Sequence, residues 1–119
     1  MGKVHKNDRI LELIATLKRS ALENEAPIWK DIAKRLERPK SSWAEVNLSH
    51  LERVTSAGDK VIIPGKLLGS GSISKKLTIA SVSFSTAAQE GIKGSGGKVS
   101  TIEQMIKKNP SGKGIRIIG

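Results

Sequence analysis

Two short apolar runs constrain the possible folds of this chain more than any other feature. Val61-Ile62-Ile63 and the segment LTIASVSF at residues 77–84 carry apolar side chains at both odd and even positions. Strands with this pattern are expected to be buried. The segment GIRII at residues 114–118 predicts a further, terminal strand. These runs predict an α/β protein in which helices pack on a sheet.

Helical periodicity places helices around these strands. Pro27 begins a second helix that Pro39 ends. Ser85 caps a third helix, which stops at the glycine-rich residues 94–97. A first helix is predicted over residues 8–24, with Asn7 as its cap and one apolar face made of Ile10, Leu11, Ile14, Leu17, Ala21 and Leu22.

The remaining elements are less regular. Val46, Leu48 and Leu51 are separated by polar residues and predict a strand, and Trp43 before them is predicted to belong to the core rather than to stack on a base. Ser100 and Glu103 have the spacing of a capping box and predict a last helix, closed off by proline at residue 110. The predicted order is α-α-β-β-β-α-β-α-β.

Composition limits the kinds of site that the chain can hold. Its 119 residues suffice for one domain, predicted over residues 8–119 after a basic leader at residues 1–7. The chain has no cysteine, and neither His5 nor His50 lies in a pattern that predicts a metal ligand. No apolar run approaches the roughly twenty residues of a membrane helix, and no secretion signal is recognisable. We therefore expect a cytosolic protein without a cofactor, a metal or a membrane partner.

The charge of the chain predicts a polyanionic partner. Lys and Arg number 21 against 11 Asp and Glu, for a net charge of +10. Residues 61–119 hold nine of the basic side chains and only two carboxylates, Glu90 and Glu103. The second half is therefore the more electropositive, and it lacks the paired carboxylates that acid–base catalysis uses.

The segment PGKLLGSGSISKKLTIA, residues 64–80, has glycines between lysines and serines and could cradle a phosphate. It does not match the ATPase loop, because Ser74 stands where the second glycine is required after Gly69. Gly97-Lys98 fails the same test, since Val99 replaces the magnesium-binding hydroxyl. The dinucleotide fingerprint G-x-G-x-x-G also fails at Ser74. A nucleotide-binding enzyme is therefore disfavoured, and contact with a sugar-phosphate backbone is favoured.

Several short sequence motifs, in this order along the chain, resemble those of a known family. They are PGKLLGSG at residues 64–71, KLTIA at 76–80, the pair Phe84-Ser85, Ala88, Ile92 and Gly96-Gly97. Together they resemble the family that unites archaeal and eukaryotic large-subunit ribosomal protein "L eighteen-e" with the carboxyl-terminal half of bacterial "L fifteen". The flanking segments are similar to the "eighteen-e" branch: Val46-Asn47-Leu48, the two N-terminal helices, and the ending from Asn109-Pro110 through RIIG at 116–119. The compact length resembles archaeal members.

The resemblance implies a fold, a function and partners. The implied fold is an irregular superhelix of strand-strand-helix units, here preceded by two N-terminal helices. The implied function is structural: the chain would bind large-subunit ribosomal RNA, support subunit assembly and translation in the cytoplasmic ribosome, and contact neighbouring ribosomal proteins, with no enzymatic activity. Candidate RNA-binding residues are Lys3, Lys6, Arg9, Arg38, Lys40, Lys66, Ser70, Ser72, Lys75, Lys76, Lys93, Lys98, Lys113 and Arg116.

Other functions remain open from the residues alone. A free-standing RNA chaperone or tRNA-binding module would use the same basic surface. The glycine-rich segment could instead be an ordinary turn with solvated lysines. An enzyme would need a base and a metal-binding carboxylate near Gly69. Aromatic residues are few, two Trp and one Phe, so RNA shape and phosphates are expected targets rather than stacked bases.

Overall fold

The computed structural model describes residues 8–119, so the leader with Lys3, Lys6 and the predicted Asn7 cap lies outside the described residues. These residues form five helices and five strands, with a short 3₁₀ turn at Lys40–Ser42 before the first strand. The elements are α1 (Asp8–Glu23), α2 (Pro27–Glu37), β1 (Ala44–Asn47), α3 (Leu48–Val54), β2 (Lys60–Leu68), β3 (Thr78–Phe84), α4 (Thr86–Gly94), β4 (Lys98–Ser100), α5 (Ile102–Lys108) and β5 (Ile115–Ile117). None of the helices in this range combines the length and apolar character needed to span a membrane.

The strands form one sheet in which every pairing is parallel. β2 is its longest strand and pairs with β3 along one edge. Its other edge is shared, since the first residues of β2 pair with β5 and the last with β1. β4 pairs only with β3 within the described sheet and forms the opposite edge. The predicted α/β class, with two helices before the sheet, is confirmed.

The two faces of the sheet carry separate cores, as the alternation of strand side chains requires. Ile62 and Ala80 pack on one face with α1, α2 and α5, where Trp29 is also fully buried. Val61, Ile63 and Ile79 pack on the other face with α3 and α4. Apolar strand residues at even positions therefore pack against α1, α2 and α5, and those at odd positions pack against α3 and α4.

Pro64 interrupts the sheet without ending β2. The predicted strand stopped at Ile63 and the loop began at Pro64, but the strand continues through Leu68 with a register shift between Ile63 and Lys66. Proline has no N–H for a strand partner, and a bulge accommodates it. The buried hydroxyl of Ser81 lies 2.8 Å from the carbonyl oxygen of Gly65, which satisfies that oxygen at the irregularity.

Two predictions about helices were wrong. Leu48 and Leu51 lie in α3 rather than in a strand, because their spacing of three residues places both on the buried side of a helix. In α1, Leu11 is 55% exposed and Leu22 is 83% exposed, whereas Leu13 is buried in their place. The buried stripe of α1 includes Ile10, Ile14 and Leu17. It is too narrow to include Leu11 and Leu22 as well.

Smaller corrections concern a cap and an aromatic residue. The last helix is capped one residue later than predicted, since Thr101 and Gln104 form the capping box that was assigned to Ser100 and Glu103. Trp43 is half-buried and packs against the first core from outside, with its indole N–H donated to the Arg38 carbonyl at 3.1 Å.

Candidate nucleic-acid interface

The glycine-rich segment between β2 and β3 lies along one side of α3, and we call residues 69–76 the strap. It contacts Ser49 and Glu52, which lie on one face of α3, and Thr55, which directly follows the helix. The Ser49 N–H donates to the Ser70 carbonyl at 3.0 Å. Gly71 has φ +94°, and a Cβ there would lie 2.6 Å from Ser49 Cβ. The glycines of the strap therefore permit close packing on a helix.

Glu52 and Lys75 hold the second half of the strap. The Glu52 carboxylate accepts hydrogen bonds from the Ser74 hydroxyl at 2.6 Å and the Ser74 N–H at 3.1 Å. The half-buried Lys75 donates to the carbonyl of Glu52 at 2.6 Å and also to the carbonyl of Thr55. Arg116 donates to the neighbouring Val54 carbonyl at 2.8 Å, so two cations satisfy carbonyl groups at the C-terminal end of α3.

Two carboxylates near the strap have lowered pKa values. Hydrogen bonds from Ser74, with the charge of Lys75 as a smaller cause, lower the pKa of Glu52. The Ser56 N–H is the largest cause that lowers the pKa of Asp59, followed by Arg116, whose guanidinium lies 3.0 Å from that carboxylate. Both carboxylates therefore favour the charged form and help to fix the strap and the β5 side chain Arg116.

Lys76, Lys93 and Lys98 come together at the edge of the sheet where the strands begin. Lys98 opens β4, and its N–H donates to the Leu77 carbonyl at 2.8 Å, directly after Lys76. The Lys76 side chain lies over Gly96, since a Cβ on Gly96 would be 3.0 Å from Lys76 Cε. Lys93 lies in the last turn of α4, just before this glycine. All three side chains are exposed.

A groove of about 420 Å³ adjoins these lysines between β4 and α5. Lys93, Lys98 and Lys108 line it together with Gln104, and the described lining holds no carboxylate. We call Lys76, Lys93, Lys98 and Lys108 the lysine edge. The sequence analysis missed Lys108, although its place in the last turn of a capped helix was a usable signal.

A second basic region lies near the ends of β2 and β3. Arg9, Lys40 and Lys66 line a groove of about 340 Å³ with Trp43 and Glu45, which we call the sheet groove. The Lys40 ammonium lies 5.9 Å from the centre of the Trp43 ring. The Arg9 guanidinium donates to the Val82 carbonyl at 3.1 Å, and it lies 3.7 Å from Glu103. Its charge is therefore partly matched within the protein.

The other candidate residues are dispersed. Arg38 borders a small cavity beside Trp43 and Gly119, and Lys113 is exposed in the turn before β5. Ser70 and Ser72 are exposed in the strap. No cluster of His, Asp or Glu able to hold a metal ion exists in residues 8–119. Among the predicted residues that the structure describes, six thus lie in two basic regions, Lys75 and Arg116 lie together at the end of α3, and the rest are dispersed.

Known proteins resemble this chain over most of its length. A family model described as "Ribosomal proteins 50S-L15, 50S-L18e", together with a 60S counterpart, matches residues 8–100. "Large ribosomal subunit protein eL18" of Methanoregula boonei is 46% identical over 112 residues, which covers 94% of this chain and 93% of the relative. The protein of that name from Methanococcus maripaludis has the same identity and coverage. The protein of the same name from Halobacterium salinarum is 46% identical over 92% of this chain and 94% of the relative. The predicted resemblance is confirmed, and the chain belongs to this family of ribosomal proteins.

Proposed function

We propose that this chain is a structural constituent of the large ribosomal subunit, and that it binds ribosomal RNA chiefly through the lysine edge. Its archaeal relatives, matched nearly end to end, are named as large-subunit proteins. The observation that carries the RNA contact is the convergence of three exposed lysines around a groove whose described lining holds no carboxylate, with the exposed Lys76 nearby on the same edge of the sheet. The proposed role is structural rather than catalytic, and its place is the cytoplasmic ribosome.

The chemistry of the lysine edge favours phosphates over bases. Lysine is a compact charge that neutralises a phosphate without reading sequence. Stacking surfaces are scarce, because Trp29 is fully buried and only Trp43 and Phe84 are partly exposed. The fit is therefore to the shape and backbone of folded RNA.

The strap has a supporting part in this proposal. Lys75 binds carbonyl groups of α3, while its neighbour Lys76 has an exposed side chain on the lysine edge. Ser72 is exposed and available to a sugar or a phosphate, whereas the backbone of Ser70 is engaged with α3. The strap thus positions Lys76, and the glycines act on RNA only through that placement.

Salt-dependent binding tests the lysine edge. Each phosphate neutralised by lysine releases counterions, so Lys76→Ala/Lys98→Ala should flatten the slope of log affinity against log salt by about 1.4–1.8 units. The loss of affinity should be similar for different RNA sequences. Binding to a large-subunit RNA fragment is measured at several salt concentrations. Lys30→Ala/Lys34→Ala, two exposed lysines of α2, is the matched control and should leave the slope nearly unchanged.

An unchanged slope for the folded Lys76→Ala/Lys98→Ala protein would place the RNA elsewhere, first of all at the sheet groove. Sedimentation tests the ribosomal role separately from the site. A structural constituent stays with the large subunit through a salt wash, whereas a free-standing RNA chaperone is released. Loss of the wild-type chain in that wash would favour the chaperone.

A further inference from the structure

A second kind of surface lies on the two N-terminal helices, away from the strap. A groove of about 670 Å³ runs between the end of α1 and α2, and we call it the helix groove. Ala21, Leu22 and Pro27 contribute its mostly apolar lining. Leu22 is 83% exposed, the more exposed of the two large hydrophobic side chains that residues 8–119 present to solvent. An apolar centre with a charged rim has the layout of a protein interface.

The charges at the rim of the helix groove are mixed and only partly matched. Lys18 forms an ion pair with Glu37 at 2.6 Å. Lys30 and Lys34, one helical turn apart on α2, have no acidic partner within the described chain. Like charges at this spacing oppose each other, so carboxylates from outside would relieve both. The rim therefore complements an acidic group next to an apolar one.

We propose that the helix groove docks a segment of a neighbouring ribosomal protein, with one apolar side chain seated on Leu22 and an acidic side chain facing Lys30 and Lys34. RNA fits this surface less well. A phosphate backbone would match the cations but leave the apolar lining of the groove exposed to water. A protein segment buries the lining and matches the cations together, which is the composition of a typical protein interface. The inference rests on the proposed ribosomal role.

Site-directed photocrosslinking in intact large subunits tests the proposal. The photoreactive residue p-benzoylphenylalanine replaces Leu22 in one variant and Leu11 in the control, which is 55% exposed on the same helix but does not line the groove. Subunits are purified, the amount of the chain in them is quantified, and cross-linked products are digested and sequenced. We expect position 22 to yield peptides of one ribosomal protein, with an apolar residue next to Asp or Glu, and position 11 not to yield them.

Reversing the charge of Lys30 and Lys34 provides a second test of the docking proposal. Lys30→Glu/Lys34→Glu, added to the position-22 variant, should lower the yield of that product several-fold while the chain stays in the subunit. A cross-link from position 22 to RNA, no cross-link in subunits that contain the chain, or a yield insensitive to charge reversal would each overturn the docking proposal. Absence of the wild-type chain from purified large subunits would instead refute the ribosomal role and, with it, this inference.

Discussion

Lys75 and Lys76 show how differently two adjacent identical residues can serve one protein. The Lys75 ammonium donates to backbone carbonyl groups at the end of α3, and its side chain is half-buried. Lys76 is exposed and lies over Gly96 at the lysine edge. The sequence analysis named both as candidate RNA-binding residues without distinguishing them, whereas only the Lys76 side chain is exposed. Lys75 contributes to stability, and its part in RNA binding stays a prediction.

Separate substitution of these two lysines should show that Lys75 stabilises the fold and that Lys76 does not. Lys75→Met keeps most of the aliphatic chain but removes the charged donor, and we expect it to lower the free energy of unfolding by about 1–2 kcal/mol. Lys76→Met should change it by no more than about 0.5 kcal/mol. Urea unfolding of both variants measures the difference. Equal stability of the two proteins would contradict the role given to Lys75.

Glu25 occupies a backbone conformation that glycine adopts more readily. It follows α1 with φ +49°, and the Ala26 N–H donates to the Ala21 carbonyl at 3.0 Å, as in a Schellman motif. The left-handed region costs a side-chain-bearing residue about 1–2 kcal/mol, partly offset by the entropy of an unfolded glycine. Glu25→Gly should therefore raise the thermal unfolding midpoint, and Glu25→Val should lower it. Lowered stability for both would contradict this conformation.

At the scale of elements, the turn from α4 to β4 depends on two glycines for different reasons. Gly96 has φ +85°, so a β-branched residue is strained there whatever the available space. At Gly97 a Cβ would lie 2.6 Å from the backbone carbonyl oxygen of Leu77, the same oxygen that accepts the Lys98 N–H. The first glycine is needed for conformation and the second for close approach.

Three substitutions separate these two causes. Gly96→Val should lower the free energy of unfolding by about 1–2 kcal/mol. Gly96→Asn should be tolerated better, because Asn enters the left-handed region and its Cβ meets only the movable end of Lys76. Gly97→Ala should cost about 1–3 kcal/mol through overpacking. Thermal unfolding measures the stability of the three variants. Unchanged stability of both Gly96→Val and Gly97→Ala would contradict the roles given to the two glycines.

The strap should respond to acid. Hydrogen bonds from Ser74 lower the pKa of Glu52 in the folded protein. The stability linked to this shift is complete above the unfolded pKa and is lost as the pH falls through the lower folded value. Unfolding measured from about pH 6 to pH 2 should show this loss, and Ser74→Ala should weaken the pH dependence. An unchanged dependence in Ser74→Ala would contradict the role of its hydroxyl.

At the scale of the whole molecule, the lysine edge and the sheet groove lie toward opposite ends of the strands. Lys98 pairs with Thr78 at the start of β3, and Lys66 pairs with Ser83 near its end. Ser83 lies five positions after Thr78, which corresponds to about 17 Å along β3. Two positions this far apart can meet different phosphates of one RNA.

Independent phosphate contacts should act additively. Lys66→Ala should flatten the salt slope of RNA binding by about 0.7–0.9 units, and the triple variant Lys66→Ala/Lys76→Ala/Lys98→Ala should show the sum of its parts. Binding to the same large-subunit RNA fragment at several salt concentrations measures both. Lys66→Ala without effect on the slope would restrict the interface to the lysine edge.

The sequence by itself determined the α/β class, four of the five helices and the family. Those features depend on local signals, such as the periodicity of α1, the cap at Ser85 and the apolar runs of β2 and β3. Only the tertiary structure decided which lysines are exposed and which side chains share a surface. Lys75 and Lys76 are equivalent in sequence, and the packing of the strap on α3 separates them. Lys76 and Lys98 meet because parallel strands align distant residues, and Leu22 lies outside the core because the packed face of α1 is narrower than its apolar pattern.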